Sequence, residues 1–247
     1  MFRDKIIHFC EEYLRTKNFN DYCHNGLQVE GKSEVQRIVG GVSISTRLIE
    51  EALRLKAQML IVHHGFFGNS IPQPPVIRGV TKLRLKTILE NDLNLCGFHL
   101  PLDAHPQIGN NASLCRLLGL KNLKPYDVGF IGELNRALKR DDFLRKVNML
   151  LKTQSMILDY GPKMIRKVCV ISGGASPSYE GAFVAGADTL LCGDIQEYVV
   201  RGVEECGMNL INAGHYNTEK LGVENLLKLL SKKFKIETHF VDIPCNV

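Results

Sequence analysis

The sequence predicts an α/β protein of two similar lobes, and three observations carry that prediction. Short apolar runs alternate with segments of helical periodicity along most of the chain. The composition, 45% hydrophobic and 23% charged over 247 residues, is that of a globular protein and excludes a disordered chain, a collagen or a coiled coil. Matching blocks also recur at a fixed offset. Moving Arg37-Ile38-Val39 by 130 residues places it on Lys167-Val168-Cys169, Ala52 on Ala182, Ala57 on Ala187 and Leu60-Ile61 on Leu190-Leu191.

Phe2, Ile6, Phe9, Cys10, Tyr13 and Leu14 stand at helical spacing, so an amphipathic helix opens the chain. After the polar stretch Asn18–Gly31, Arg37–Val42 reads as a strand, Thr46–Leu55 as a helix and Met59–Val62 as a short buried strand. A helix at Val80–Asn91, a strand at Leu93–Phe98 and a helix from Asn111 to Leu118, ended by Gly119, follow. Lys124–Met164 is less regular, and the lobe boundary is placed approximately there, giving lobes 1–124 and 125–247, with room for the two to intertwine. In the second half Val168–Ser172, Thr189–Cys192, Met208–Asn212 and Ile236–Ile243 read as strands, with helices at Tyr179–Ala185, Ile195–Glu205 and Glu219–Phe234.

The formal charge of +5 (31 Lys+Arg against 26 Asp+Glu) is spread along the chain, which argues against a nucleic-acid partner. The eight cysteines form no C-x-x-C pair, so a thiolate zinc site or a thioredoxin motif is not expected. Most sit in apolar contexts such as Val168-Cys169-Val170, and they read as reduced thiols of a cytoplasmic protein. The opening MFRDKIIHFCEEYLR is charged throughout, unlike a signal peptide, and no run approaches the ~18 apolar residues of a membrane span.

Three segments carry polar residues where a core would not tolerate them idly. Leu60-Ile61-Val62-His63-His64-Gly65 is a buried strand ending in two histidines, and ligands of open α/β sheets bind beyond such strand ends. In Cys96-Gly97-Phe98-His99-Leu100-Pro101-Leu102-Asp103, the aspartate is flanked by apolar and cyclic residues; it either caps the Asn110/Asn111 helix region or binds a cation. In Gly214-His215-Tyr216-Asn217-Thr218-Glu219, Thr218 suits a helix N-cap, and a glutamate in the first turn is explained by the helix dipole as readily as by coordination. An offset of 116 residues lays His99-x-x-x-Asp103 on His215-x-x-x-Glu219, and the offset of 130 lays His64 on Asp194. Together His63, His64, His215, Asp103 and Glu219 supply three imidazoles and two carboxylates at three strand ends. Such a set holds a pair of cations ~3.5–4 Å apart and suits Zn, Fe, Mn or Ni. His99 is then an orienting or acid–base candidate.

These segments, with Tyr22-x-x-Asn25-Gly26-Leu27-Gln28-Val29-Glu30-Gly31 and Pro75-Val76-Ile77-Arg78-Gly79, resemble the GTP cyclohydrolase 1 type 2, or NIF-three-like, family nearly end to end. The resemblance implies two similar α/β lobes with a dinuclear metal site in the cleft between them, assembled as a toroidal homohexamer. It implies His63, His64, Asp103, His215 and Glu219 as ligands of two divalent metal ions, all intact here. One departure is visible: close bacterial relatives often carry a tryptophan after His64-Gly65-Phe66, and this chain has Phe67-Gly68 and no Trp. The family name implies conversion of GTP to 7,8-dihydroneopterin triphosphate and formate. His99 would shuttle protons, and Arg78, with Lys82, Arg84 and Lys86, would meet the triphosphate, although those four also suit an exposed helix face. No G-x-x-x-x-G-K-[ST] phosphate cradle is present. A metal-dependent hydrolase of another small phosphorylated or amide substrate, and a metal-handling or partner-binding protein, use the same ligands.

Overall fold

The computed structural model describes residues 1–68 and 76–245, so Pro75 of the Pro75–Gly79 motif lies outside the described residues. In chain order the elements are α1 (Arg3–Leu14), β1 (Gly26–Val29), β2 (Arg37–Ser43), α2 (Thr46–Arg54), β3 (Met59–His64), α3 (Gly79–Glu90) and β4 (Asn94–Gly97). They continue with α4 (Leu100–Ala104), α5 (Asn110–Leu118), β5 (Lys121–Tyr126), β6 (Gly129–Lys139), α6 (Arg140–Leu151), β7 (Met156–Asp159) and β8 (Met164–Val170). The chain ends with α7 (Tyr179–Val184), β9 (Thr189–Cys192), α8 (Val199–Cys206), β10 (Asn209–Asn212), α9 (His215–Phe234) and β11 (Glu237–Phe240). No helix among the described residues is long and apolar enough to cross a membrane.

Two compact units result. One comprises Met1–Leu102 and Gly222–Ile243, the other Asp103–Leu221 and the C-terminal residues from Pro244. Each unit therefore takes residues from both sides of position 124. Lys121–Tyr126 pairs with β6, which draws the preceding helix into the second unit. At the other end β11 pairs in parallel with β2, which returns the last strand and most of α9 to the first unit.

The first unit holds a five-stranded sheet in the order β1-β4-β3-β2-β11, parallel except for β1. Val39, Leu60, Val62 and Leu95 alternate along three neighbouring strands, so they share a sheet face and pack with Leu48, Ile49, Ala52 and Ile88 from the covering helices. Ser45 caps α2 by accepting a hydrogen bond from the Leu48 N–H at 3.2 Å.

The second unit holds a six-stranded sheet in the order β5-β6-β8-β9-β10-β7, with β8, β9 and β10 parallel. Val168, Val170, Leu191 and Ile211 face one core with Phe143 and Val147 of α6, whereas Cys169, Leu190, Cys192 and Leu210 face the other with Val199 and Val203 of α8. The stretch 124–164, irregular in sequence, thus contains the whole of the long strand β6, the helix α6 and the edge strand β7. It hid because β5 is exposed at nearly every position and β6 breaks its alternation at a register shift between Glu133 and Leu138.

Both units contain strand–helix–strand–helix–strand in parallel, β2 to β4 and β8 to β10. Ile38 pairs with Met59 and Val168 with Thr189, the same offset of 130 residues found in the sequence. All eight cysteines are free thiols, and five are buried.

Candidate metal centre

Each unit gathers chemistry at the carboxyl ends of its parallel strands. In the first, β3 ends at His63 and His64, and His99 follows β4 by two residues. A nitrogen of each imidazole lies within 4.8 Å of the others. The His63 ring centroid is 4.6 Å from that of His64 and 4.9 Å from that of His99. Ser43 Oγ lies 2.9 Å from His64 Nδ1, which fixes that ring and leaves Nε2 as its other coordinating atom.

His99 is held by a residue that sequence patterning gave no reason to select. Its Nδ1 lies 2.9 Å from the Asp21 carboxylate, so Nδ1–H donates there and Nε2 is left to accept from the Tyr22 hydroxyl at 3.3 Å. Asp21 also accepts from the Cys23 and Leu100 N–H groups and from Asn25 Nδ2. Burial opposes its ionisation, but the His99 ring, the Asn25 amide and the Cys23 N–H outweigh that and hold the carboxyl at about 2. With so many donors already on its oxygens, Asp21 orients His99 rather than joining Cys23 and His99 as a metal ligand. Asn25 Oδ1 accepts from the His99 N–H, and Gln28 Oε1 accepts from the Phe66 N–H, which explains why the Asn25–Gly31 segment accompanies the two histidine segments.

In the second unit Ser172 and Gly173 follow β8, Asp194 follows β9 and His215 follows β10. The Asp103 carboxylate, on α4, accepts from Ser172 Oγ at 2.9 Å and Asn110 Nδ2 at 2.8 Å. It therefore engages the first residue of α5 through the Asn110 side chain. One oxygen each of Asp103 and Glu219 lies within 4.8 Å of the other, and both residues are buried.

α9 begins at His215, so Thr218 is not its N-cap and Glu219 is not in its first turn. Thr218 Oγ1 instead donates back to the Gly214 and His215 carbonyls and accepts the Gly173 N–H. A helix-dipole explanation of Glu219 falls with that N-cap. His215 Nε2 is 3.1 Å from Glu219 Oε2 and its Nδ1 2.6 Å from Asp194 Oδ2. Burial disfavours the imidazolium, but hydrogen bonding and charge from Glu219 and Asp194 outweigh it and raise the ring to about 9. These carboxylates make the surroundings of His215 a place for positive charge.

Of the residues selected from sequence, the structure brings His63, His64 and His99 together in the first unit and Asp103, His215 and Glu219 in the second. Arg78 stands exposed immediately before α3, in an extended conformation. Asp21, Ser172, Gly173 and Asp194 were missed. Asp194 alone left a sequence signal, as the counterpart of His64 at the offset of 130 residues.

The donors fit a divalent cation with nitrogen and oxygen preferences. Burial pushes the Cys96 and Cys192 thiols up to about 12, which keeps those two sulfurs protonated. Gly173, at φ +66°, leaves space in front of Glu219: a Cβ there would lie 2.2 Å from Oε1 and 3.2 Å from His215 Nε2.

Comparison with known proteins agrees over the whole chain. The family model Duf34/NIF3 (NGG1p interacting factor 3) matches residues 1–246. The chain is similar to the GTP cyclohydrolase 1 type 2 homolog of Haemophilus influenzae, 39% identical over 236 residues and covering 93% of each protein. Among solved structures it resembles the protein ybgI, of unknown function, with a TM-score of 0.95, 37% identity and full coverage of both chains. TTHA1606 from Thermus thermophilus follows at a TM-score of 0.91, 34% identity and full coverage. With its histidine and carboxylate segments intact and its fold shared throughout, the chain belongs to the Duf34/NIF3 family.

Proposed function

We propose that this protein holds two divalent cations through His63, His64, Asp103, His215 and Glu219 and uses them for hydrolysis. The observation that carries the reading is the buried pair Asp103 and Glu219, whose oxygens lie within 4.8 Å beside His215. Two such carboxylates repel one another in a low-dielectric interior, and bound cations remove that repulsion. The imidazoles of His63 and His64 supply the neutral donors that complete a mixed nitrogen–oxygen set.

When bound, the cations supply Lewis-acid activation of water and of substrate oxygens. The remaining roles fall to the chain. Ser172 and Asn110 orient Asp103, Ser43 orients His64, and Asp194 orients His215. His99, its Nδ1–H held by Asp21, meets the Tyr22 hydroxyl through Nε2 at 3.3 Å, and that nitrogen is the atom that would accept and return a proton.

The relatives' names, GTP cyclohydrolase 1 type 2 homolog, support GTP as substrate; its conversion to 7,8-dihydroneopterin triphosphate and formate, with Arg78 meeting the triphosphate, belongs to the same proposal. The toroidal hexamer belongs to the same reading and is tested by sedimentation. The functional test uses metal-repleted protein and GTP, with formate and neopterin fluorescence as readouts. Elemental analysis should find two metal ions per chain, fewer in Glu219→Ala, and product formation should disappear in that variant. Full metal content without turnover of GTP or other nucleotides refutes the nucleotide hydrolase and leaves a metal-handling protein or a hydrolase of another small substrate. Absence of metal refutes all of these.

A further inference from the structure

The second unit contains a cavity of about 690 Å³, a size that accepts a small organic molecule. Asn148, Lys152, Thr153, Gln154, Asn212 and Gly214 line it together with Met156, and none of them is acidic. The hydrogen bonds already made around it determine what the wall offers. Asn148 Oδ1 accepts from the Ser155 N–H at 2.8 Å, and Asn212 Oδ1 from the Gly214 N–H at 2.9 Å. A backbone N–H can be received only by the oxygen of a side-chain amide, so each asparagine is left with its NH2. Thr153 Oγ1 accepts from Asn217 Nδ2 at 3.1 Å, which leaves its O–H to donate. Lys152 adds an ammonium, a donor without acceptor capacity.

The wall is thus rich in donors and carries one positive charge, the complement of an anionic oxygen group. Met156 offers an apolar surface for the organic remainder of a ligand. Gly214 is required in its place: it has φ +87°, and a Cβ would lie 2.8 Å from Asn217 Nδ2. It directly precedes His215, which joins this wall through the chain to the candidate metal ligands.

We infer that this cavity binds the phosphate monoester or carboxylate group of a small polar molecule, and that it holds the anionic part of the metal site's substrate. The second half of that statement rests on the functional reading above; the anion binding stands without it. The test uses the 15N-labelled full chain, freed of metal by chelation so that anions cannot act through a cation. Inorganic phosphate and, in a separate arm, acetate are titrated while the side-chain NH2 signals of Asn148 and Asn212 are followed.

Saturable shifts of both pairs are expected, and the anion that saturates at lower concentration identifies the class. Lys152→Gln should weaken binding about tenfold. Asn148→Asp keeps the acceptor for the Ser155 N–H but replaces a donor by a negative charge, and should abolish binding. The inference is overturned by unchanged signals up to about 10 mM of either anion, or by wild-type affinity in both variants, which marks an adventitious ion only. Metal uptake, measured separately after repletion, distinguishes the two readings. Anion binding without metal uptake supports the cavity but overturns its assignment to a metal substrate, whereas metal uptake without anion binding overturns the cavity and leaves the metal site.

Discussion

Replacing Gly173 by alanine sets a backbone cost against a side-chain collision at the candidate metal centre. Gly173 has φ +66°, where an L-residue costs about 1–2 kcal/mol. Gly119 has φ +72°, but a Cβ there would meet only Lys146 Nζ at 3.5 Å, an ordinary contact. Gly119→Ala therefore carries the backbone cost alone. At about 2–4 °C per kcal/mol for a chain of this size, it should lower Tm by about 2–8 °C. Gly173→Ala adds a Cβ 2.2 Å from Glu219 Oε1, so that buried carboxylate must retreat by about 1 Å to restore van der Waals contact. Its 3.1 Å contact with His215 is then strained or lost, and a hydrogen bond to a charged group contributes about 1.5–3 kcal/mol. Calorimetry of both variants, metal-free, should show a larger loss for Gly173→Ala, and elemental analysis after repletion should show metal loss in that variant only. Equal melting temperatures together with full metal content in Gly173→Ala would falsify the claim that this glycine keeps space for ligands.

Two further outcomes follow from the hydrogen-bond geometry. Asp21, held at about 2 against an ordinary 3.8, contributes about 2 kcal/mol that is present above pH ~4 and lost as pH falls through about 2. The stability gap between wild type and Asp21→Asn, measured by denaturant titration without metal, should be complete at pH 7 and shrink on acidification; a gap independent of pH refutes the claim that these hydrogen bonds hold Asp21 ionised. Asn94, buried, accepts from the Gly31 N–H and donates to the Lys32 and Gln58 carbonyls, each at 2.8 Å. Asn94→Ala strands the Gly31 N–H and the Lys32 carbonyl, while the Gln58 carbonyl keeps the backbone N–H of residue 94 at 3.0 Å, and should cost about 2 kcal/mol or more in urea unfolding; a loss below about 1 kcal/mol contradicts that role.

Much of the fold was legible because buried parallel strands announce themselves as apolar runs. Met59–Val62 and Thr189–Cys192 lie between helices whose apolar residues recur at helical spacing, and both are strands in the structure. The β5–β6 hairpin was not legible: an exposed edge strand carrying Lys121, Lys124 and Pro125 has no apolar face to alternate. α6 was overlooked although Phe143, Val147 and Leu151 recur every four residues, because the irregular sequence on either side obscured the pattern. The start of α9 was misplaced by four residues, since Thr218 looks like a capping residue locally but spends its hydroxyl on the Gly214 and His215 carbonyls.

By itself the sequence determined the α/β class, the family and the chemical identity of the candidate ligands, because apolar periodicity and paired histidine and carboxylate segments are local properties of the chain. Only the tertiary structure decided where the compact units divide and which groups orient those ligands. Asp21 meets His99 across 78 positions and Ser172 meets Asp103 across 69. Contacts so distant along the chain leave no periodic trace in it; they exist only once strand pairing has brought the strand ends together.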